Sequence, residues 1–230
     1  MTDFILQSDW EATLPLELYA LPFSSYCQKV LVALYENATP FTLRMLEDPE
    51  AQGEWEALWP IRRMPVLVDD LHRVVESSVI IEYLGLRHPG PVRLVPADPE
   101  AALEVRLMDR FFDNYVMTPM QKLVFDRIRP EPDRDPYGVD EARQMLYRAY
   151  GWLDGALAGR AWAAGAAFSL ADCAAAPSLF YADWGHPIGE DFPRVSDYRA
   201  RLLARPSFAR AVDEARPYRS YFPLGAPERD

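Results

Sequence analysis

Residues 88–99, HPGPVRLVPADP, divide the sequence into two parts that differ in hydrophobic periodicity. The segment concentrates proline and has little periodicity of its own, which is typical of a linker. Upstream of it, short strand-like and helix-like stretches alternate, whereas the sequence downstream has helical spacing almost throughout. We therefore expect an α/β domain over residues 1–88, with an N-terminal extension over 1–15, a linker over 89–97 and an all-helical domain over 98–230.

The first part has the predicted element order β-α-β-α-β-β-α. Short runs bounded by turn residues predict strands at 16–21, 40–46, 64–70 and 72–77. Apolar residues at helical spacing predict helices at 26–37, 49–59 and 78–88. A strand-helix-strand start followed by a hairpin and a covering helix implies a mixed sheet of about four strands.

The second part predicts a helical bundle. One long helix is expected from about Pro99 to Arg127, and the charged sequence RPEPDRDP at 129–136 follows as a break. Further helices are predicted at about 137–158, 170–185, 194–204 and 207–215.

The net charge limits the classes of molecule that we expect the protein to bind. The 230 residues carry a formal net charge of −11, whereas nucleic acids and anionic membranes are bound through clustered Lys and Arg. We therefore expect neither as a main partner. An acidic protein can still hold a small anion in a locally positive pocket, so an anionic ligand stays compatible with the composition.

The chain also lacks the usual signals for export or membrane insertion. Its start, MTDFILQSDWEATL, has no basic flank followed by an apolar core, as a signal peptide would. No apolar run approaches the length of a bilayer span. The two cysteines, Cys27 and Cys173, cannot build a disulfide framework and fit a reducing compartment. These features predict a soluble cytoplasmic protein.

Met64-Pro65-Val66 is the first candidate site. Proline at the start of a strand removes one hydrogen-bond donor from the sheet, and an X-Pro bond is the place where a cis peptide costs least. The structural interpretation is a trans proline that opens an ordinary strand, which is the commoner case. The position of this proline one strand before Glu76-Ser77 favours a functional interpretation.

Glu76-Ser77 stands where a predicted strand ends and a helix begins. In the structural interpretation, the Ser77 side chain accepts a hydrogen bond from an early helix amide and caps the helix. In the functional interpretation, the helix amides and the Ser77 hydroxyl hold a carboxylate while Glu76 holds an ammonium group. Such a pair would bind the head group of an α-amino acid.

Ser24-Ser25-Tyr26-Cys27 precedes and begins the first predicted helix. A hydroxyl and free backbone amides at a helix N-terminus can stabilise a thiolate. The structural alternative is that the serines cap the helix and that Cys27 is a small buried apolar residue. The sequence pattern alone leaves both interpretations open.

Four stretches, in this order and spacing, resemble the cytosolic glutathione transferase family. They are FSSYCQKVLVAL (23–34), MPVLVDD (64–70), VVESSVIIEYL (74–84) and FSLADCAAAP (168–177). In the last stretch, Ser169 and Asp172 form the S-x-x-D pattern of a capping box, which is a structural motif. The resemblance extends from about Leu16 to Ala215 and implies a thioredoxin-like N-terminal domain followed by an all-helical C-terminal domain.

The resemblance implies that a serine hydroxyl stabilises the thiolate of glutathione, as in serine-type bacterial members of the family. Ser24 occupies the position of the attacking cysteine in glutaredoxin-like relatives, and Cys27 occupies that of the resolving cysteine, which faces the core. Ser25 stands where the family usually has proline, so either serine is a candidate for the thiol contact. Tyr19 is a third candidate, because some classes use a tyrosine at the end of a strand.

The remaining parts of glutathione have expected partners by the same resemblance. The backbone of Val66, next to Met64 and cis-Pro65, would pair with the cysteinyl unit. Glu76 and Ser77 would hold the γ-glutamyl end.

Arg63, or equally Arg62, would meet the glycyl carboxylate. The acceptor pocket is expected between the two domains, lined by residues 115–120 and by Trp184. Glutathione is thus the implied co-substrate, and no metal is expected.

The activity implied by the resemblance is the transfer of glutathione to a small hydrophobic electrophile. A glutathione-dependent isomerase of the maleylacetoacetate type would use the same residues, and a thiol-disulfide reductase would need a reactive Cys27. A non-catalytic scaffold would keep the fold without turnover. The family also implies a homodimer formed through the helices near 78–88 and 99–127.

Overall fold

A four-stranded mixed sheet forms the first part of the chain. The computed structural model describes residues 15–230, so the predicted extension lies, apart from Pro15, outside the described residues. The strands are β1 (Glu17–Ala20), β2 (Thr42–Met45), β3 (Val66–Asp69) and β4 (His72–Val75). Their order in the sheet is β2-β1-β3-β4, with β1 and β2 parallel and the other two pairs antiparallel. The predicted βαβαββα order is therefore confirmed.

Three helices complete this α/β unit: α1 (Ser25–Glu36), α2 (Pro49–Leu58) and α3 (Ser77–Arg87). In α1, the apolar positions predicted from helical spacing, Cys27, Val30, Leu31 and Leu34, are fully buried. Helix α1 packs against α7 and α9 of the helical part on one side and against α3 on the other. Because several elements surround α1, residues 27–34 are all buried, including the polar Gln28 and Lys29.

The rest of the chain is helical, as predicted. Its α-helices are α4 (Pro99–Phe111), α5 (Thr118–Ile128), α6 (Pro136–Ala156), α7 (Leu170–Gly185), α8 (Pro193–Leu203) and α9 (Pro206–Ala215). A 3-10 helix follows at Arg216–Tyr221. Within residues 15–230, none of the helices has both the length and the apolar composition that crossing a bilayer requires.

Asp-Pro dipeptides fix the starts of three helices. Asp48, Asp98 and Asp135 each accept a hydrogen bond from a backbone amide in the first turn of α2, α4 and α6, at 2.9 Å in each case. The proline that follows each aspartate occupies the first helical position, where no amide donor is needed. The sequence therefore specifies these starts locally.

The long helix predicted from Pro99 to Arg127 is interrupted. Residues Phe112–Met117 form a π-helical turn between α4 and α5. Pro119 has no amide hydrogen and cannot continue the regular hydrogen-bond pattern. The carbonyl of Asp113 instead accepts from the Thr118 amide, five residues on, and from the Thr118 hydroxyl at 2.9 Å.

The predicted capping box of α7 is confirmed. The Asp172 carboxylate accepts from the Ser169 amide at 2.8 Å and from the Ser169 hydroxyl at 2.9 Å. It also accepts from the Ala163 amide at 2.9 Å and the Tyr198 hydroxyl at 2.5 Å. Asp172 is fully buried, so these bonds replace its lost hydration and anchor the start of the most buried helix of the bundle.

Candidate functional site

A cavity of about 670 Å³ opens between the sheet and the helices. Most of the residues predicted for the site line it together: Ser24, Arg62, Arg63, Met64, Pro65, Glu76 and Ser77. They come from the turn before α1, the segment before β3 and the turn between β4 and α3, which the sheet topology places at one edge. The opposite wall is contributed by the helical part, through Arg110, Asp113, Asn114, Gln121 and Phe125.

Three of the residues predicted to contact glutathione, Val66, Tyr19 and Ser25, do not line this cavity. Val66 is fully buried in β3, in register with Tyr19 of β1 and Val75 of β4, so both of its edges face neighbouring strands. Met64, before the proline, is the residue of this segment that reaches the cavity wall. Tyr19 belongs to a separate apolar cluster, and its hydroxyl donates to Glu54 at 2.8 Å.

Ser24 lies at the point where two cavities meet. It lines the first cavity and also a second one of about 270 Å³, whereas Ser25 lines only the second. Ser24 is the N-cap residue of α1, yet its side chain makes no capping hydrogen bond. The capping alternative is therefore wrong for Ser24.

Cys27 is buried in the first turn of α1 and is fully inaccessible. Burial raises the pKa of its thiol to about 11, against a smaller lowering effect of the Ser24 hydroxyl. A thiol with this pKa is protonated at neutral pH and a poor nucleophile. The structure therefore agrees with the interpretation of Cys27 as a small core residue.

The backbone around the predicted glutathione-contacting residues is unusual. The Met64–Pro65 peptide bond is cis, as expected. Glu76 has a φ of 68°, in the left-handed region that costs a non-glycine residue about 1–3 kcal/mol. Such conformations cluster at ligand sites, where the surrounding structure enforces them.

The conformation of Glu76 also corrects the capping interpretation of Ser77. The N-cap residue of α3 is Glu76, the helix begins at Ser77, and no side chain caps it. The first amides of α3 are thus without a side-chain acceptor. Ser77 is nearly buried at the cavity wall, in a position that suits ligand binding.

The two arginines predicted to bind the glycyl carboxylate of glutathione differ in their surroundings. Arg62 forms an ion pair with Glu56 at 3.1 Å. Arg63 makes no ion pair with any of residues 15–230, and its carbonyl accepts from the Trp55 indole at 3.2 Å. The indole bond fixes the backbone of Arg63, while its guanidinium group is free to pair with an anion.

A buried charge cluster supports the helical wall of the cavity. The Lys29 ammonium group of α1 is almost fully buried and lies 2.6 Å from Asp109 and 2.8 Å from Asp113. It also donates to the Ser78 hydroxyl at 2.9 Å. Arg110 forms ion pairs with both aspartates and completes the cluster.

This cluster was not predicted from the sequence. Asp109 and Asp113 lie four residues apart, on a helix stripe that also carries Val105 and Phe112. Acidic residues at core spacing signal a buried partner or a ligand. The spacing could therefore have predicted that Asp109 and Asp113 face the core, although it does not identify Lys29 as their partner.

The second cavity has an apolar, largely aromatic lining. Met117 and Met120 line it, as predicted for the acceptor pocket, whereas Tyr115 and Trp184 do not. The remaining described residues of its wall are Phe23, Ser24, Ser25, Gln121, Val124, Phe125, Tyr181, Tyr221, Phe222 and Pro223. None of the described residues in this lining is charged.

The C-terminal 3-10 helix contributes two residues that the sequence did not reveal. Tyr218 and Tyr221 line the first cavity, and Tyr221 also lines the second. The Tyr218 hydroxyl donates to Glu47, in the loop after β2, at 2.9 Å. This bond links the two parts of the chain beside the cavity.

No group of three or more potential metal ligands lies together in the part of the chain that the structure describes. The polar groups of the first cavity are arginines, carboxylates, hydroxyls and the amides of Asn114 and Gln121, which can bind a small molecule with both positive and negative groups. The neighbouring apolar cavity can hold a second, hydrophobic molecule next to Ser24.

Comparisons with known proteins agree with the resemblance noted in the sequence. Residues 18–92 match the family model "Glutathione S-transferase, N-terminal domain", and residues 116–206 match "Glutathione S-transferase, C-terminal domain". FtsZ-localized protein A of Caulobacter vibrioides is 29% identical over 205 residues, covering 83% of this chain and 88% of that protein. A probable maleylacetoacetate isomerase of Vibrio cholerae is 26% identical over 217 residues, covering 87% and 96%.

A solved structure supports the same assignment. The glutathione S-transferase of Methylobacterium radiotolerans, in complex with glutathione sulfonate, is 30% identical with a TM-score of 0.75. The match covers 86% of this chain and 94% of that one. Together, the two family matches, this structural similarity and the thioredoxin-like sheet followed by a helical bundle show that the chain belongs to the cytosolic glutathione S-transferase family.

Proposed function

We propose that this protein is a glutathione transferase in which the Ser24 hydroxyl donates a hydrogen bond to the thiolate of bound glutathione. The observation that carries the proposal is the position of Ser24 where a polar cavity meets an apolar one. A thiolate there lies beside any electrophile held in the apolar cavity. Proximity of this kind converts a bimolecular attack into an effectively unimolecular one.

The thiol of glutathione is mostly protonated at neutral pH unless the protein stabilises its thiolate form. A free thiol with a pKa of about 8.5 is only ~3% ionised at pH 7. A donated hydrogen bond and helix-terminal amides that lower this pKa by about two units would stabilise the thiolate by roughly 2.7 kcal/mol. Ser24 and the first turn of α1 supply both kinds of group.

Glutathione fits the groups of the first cavity. We place its γ-glutamyl end at Glu76 and Ser77 and its cysteinyl unit at the Met64–Pro65 segment. Its glycyl carboxylate then meets Arg63, which has no ion-pair partner among residues 15–230. Because Val66 is enclosed in the sheet, Met64 replaces it in the proposal as the backbone partner of the cysteinyl unit.

The apolar cavity favours an uncharged aromatic electrophile. Its aromatic and methionine side chains stack on and pack against a planar apolar substrate. Maleylacetoacetate carries carboxylates, and the described lining offers no cation to pair with them. The transferase activity is therefore the better candidate, although the isomerase of Vibrio cholerae is similar in sequence.

We also propose a homodimer joined through α3 and α4. Val79 and Leu86 of α3 and Leu103 and Leu107 of α4 are apolar side chains that are more than half exposed. Such apolar faces on neighbouring helices are typical of a subunit interface. The two free, buried cysteines fit a reducing environment, and we place the protein in the cytoplasm.

Retention on immobilised glutathione, combined with turnover of an activated aryl chloride, tests the activity. The proposal predicts retention and turnover, with turnover reduced in Ser24→Ala and largely kept in Ser25→Ala. Retention without turnover of any electrophile would instead favour a non-catalytic binder. Absence of retention would contradict both the ligand and the activity.

A further inference from the structure

The peptide unit between Phe23 and Ser24 is held at both of its polar groups. The Ser24 amide donates to the Leu21 carbonyl at 3.0 Å, which closes the turn after β1. The Phe23 carbonyl accepts from the Tyr181 hydroxyl at 2.8 Å, and Tyr181 belongs to α7, 158 residues later in the chain. Because a peptide unit is planar, these two hydrogen bonds together fix the orientation of the peptide that leads into Ser24.

Helix α1 does not hold the Phe23 carbonyl itself. The first helical hydrogen bond is accepted one residue later, by the Ser24 carbonyl from the Gln28 amide at 2.8 Å. The donor that reaches the Phe23 carbonyl is the Tyr181 hydroxyl. Without that hydroxyl the carbonyl would lose this partner and turn towards another donor, and the Ser24 side chain would turn with the peptide plane.

Tyr181 is a rigid support for this carbonyl. Its side chain is almost fully buried, and its ring meets that of Phe23 edge to face, with 5.3 Å between the ring centroids. The rings of Phe180, Trp184 and Phe222 also pack around it. Burial raises the pKa of the Tyr181 hydroxyl well above its ordinary value. The group therefore keeps its proton at neutral pH and stays a hydrogen-bond donor.

The position of Tyr181 separates it from the proposed glutathione contacts. Tyr181 lines the second, apolar cavity but not the first cavity, in which we place glutathione. A tyrosine hydroxyl has one hydrogen to donate, and that of Tyr181 is used by the Phe23 carbonyl. An effect of this hydroxyl on the thiolate must therefore pass through the turn that carries Ser24.

We infer that Tyr181 is a positioning residue, which acts through the Phe23 carbonyl to orient the Ser24 hydroxyl towards the thiolate. This inference rests on the proposed function, in which Ser24 donates to the thiolate of bound glutathione. A displacement of about 1 Å in a reacting group can cost roughly a hundredfold in rate. The hydroxyl of Tyr181 thus links the helical part of the chain to the chemistry of the α/β part.

Tyr181→Phe tests this role in the full chain. The variant keeps the ring with its contacts and lacks only the hydroxyl, so we expect it to fold. The pKa of the thiol of bound glutathione, followed by thiolate absorbance without any electrophile, should rise to a value between those of wild type and Ser24→Ala. Turnover at neutral pH should fall about tenfold. Affinity for S-methylglutathione, which has no thiol to ionise, should be unchanged.

Tyr150→Phe is the matched control. The Tyr150 hydroxyl is also buried and donates to a backbone carbonyl, that of His186, at 3.0 Å, and Tyr150 lines neither cavity. This variant reports the effect of deleting a buried hydroxyl from the helical bundle. Urea unfolding should show a similar loss of stability in Tyr150→Phe and Tyr181→Phe. In Tyr150→Phe, the bound thiol should titrate as in wild type.

A double variant shows whether Tyr181 acts through Ser24. If it does, Tyr181→Phe combined with Ser24→Ala should show the same bound thiol pKa as Ser24→Ala alone, because the hydroxyl that Tyr181 orients is already absent. A further rise in the double variant, as large as in the wild-type background, would mean that Tyr181 acts independently of Ser24 and would overturn the inference.

The remaining outcomes separate this inference from the proposed function. A wild-type titration in Tyr181→Phe, or an equal shift in Tyr150→Phe, overturns the positioning role while the role of Ser24 stands. If the wild-type protein does not lower the pKa of bound glutathione, or if Ser24→Ala titrates as wild type does, the proposed function fails and the positioning role fails with it.

Discussion

The Lys29 ammonium group lies 2.8 Å from the Asp113 carboxylate, which stands 84 residues later in the chain. This contact joins the first helix of the α/β part to the π-helical turn of the helical part. Both side chains are buried, so the pair forms at the interface of the two parts and directly behind the cavity wall. The geometry of the candidate site therefore depends on the packing of the two parts against each other.

Replacing this lysine should strongly destabilise the protein. Lys29→Met leaves Asp109 and Asp113 buried with only Arg110 to pair with them, and breaking a buried ion pair costs about 3–5 kcal/mol. Urea unfolding measures the change in the free energy of unfolding. Arg106→Met is the matched control, because Arg106 pairs with Glu82 on the surface and such pairs contribute about 1 kcal/mol or less. Equal losses in the two variants would contradict the role assigned to Lys29.

Ser77→Ala should weaken glutathione binding without destabilising α3. Loss of a hydrogen bond to a charged group costs about 1–3 kcal/mol of binding free energy. Because Ser77 does not cap its helix, the melting temperature should stay close to that of wild type.

Asp48→Ala provides the complementary control for Ser77→Ala. The Asp48 side chain is a true cap of α2, so its loss should cost about 0.5–2 kcal/mol of stability. Glutathione affinity should be unchanged, since Asp48 does not line the cavity. A Ser77→Ala variant with a lowered melting temperature and unchanged affinity would leave only a structural role for Ser77.

Cys27 should stabilise the fold in a pH-dependent way and take no part in catalysis. Burial raises the pKa of its thiol from an ordinary 9.0 to about 11. The unfolded chain therefore releases the proton at lower pH than the folded one, and the stability that this thiol contributes is lost as the pH rises from about 9 to about 11. Two pKa units correspond to about 2.7 kcal/mol.

The comparison of wild type with Cys27→Ala isolates this effect. The difference in the free energy of unfolding between the two proteins should shrink across that pH interval, while transferase activity at neutral pH stays nearly intact. Rapid alkylation of Cys27 in the folded protein, or loss of activity in Cys27→Ala, would argue for thiol exchange instead.

Sedimentation analysis should show a dimer at micromolar concentration. Leu103→Glu and Leu107→Glu place charges on the exposed apolar face of α4 and should shift the equilibrium towards the monomer. Leu71→Glu is the control, because Leu71 is fully exposed at the turn between β3 and β4 and outside the proposed interface. A monomeric wild-type protein, or dissociation by Leu71→Glu alone, would contradict the proposed interface.

The element order and several helix starts could be read from the sequence, because their causes are local. Apolar spacing defines α1, and Asp-Pro pairs such as Asp48-Pro49 define helix starts. The capping box at Ser169 and Asp172 is local in the same sense. Interactions between residues that are close in the chain produce motifs that can be recognised in a single sequence.

The parts that the sequence did not predict depend on distant contacts. Lys29 pairs with Asp113, and Tyr218 donates to Glu47, only because the folded chain brings these distant residues together. The two interpretations of Ser77 could not be separated either, because the answer depends on the left-handed backbone of Glu76. Ser24 lines both cavities, and its contact with the thiolate, in preference to Ser25, stays a prediction.

The thiolate absorbance of bound glutathione, followed in the ultraviolet against pH, tests the central role of Ser24 most directly. If Ser24 stabilises the thiolate, the pKa of the bound thiol lies well below about 8.5 in the wild-type protein. We expect a higher pKa in Ser24→Ala, accompanied by a roughly hundredfold loss of turnover at neutral pH, the typical effect of removing a donor to an anion. Ser25→Ala and Cys27→Ala should both keep the wild-type titration. An unchanged titration in Ser24→Ala, or a shift confined to Ser25→Ala, would contradict the assignment of the thiolate contact to Ser24.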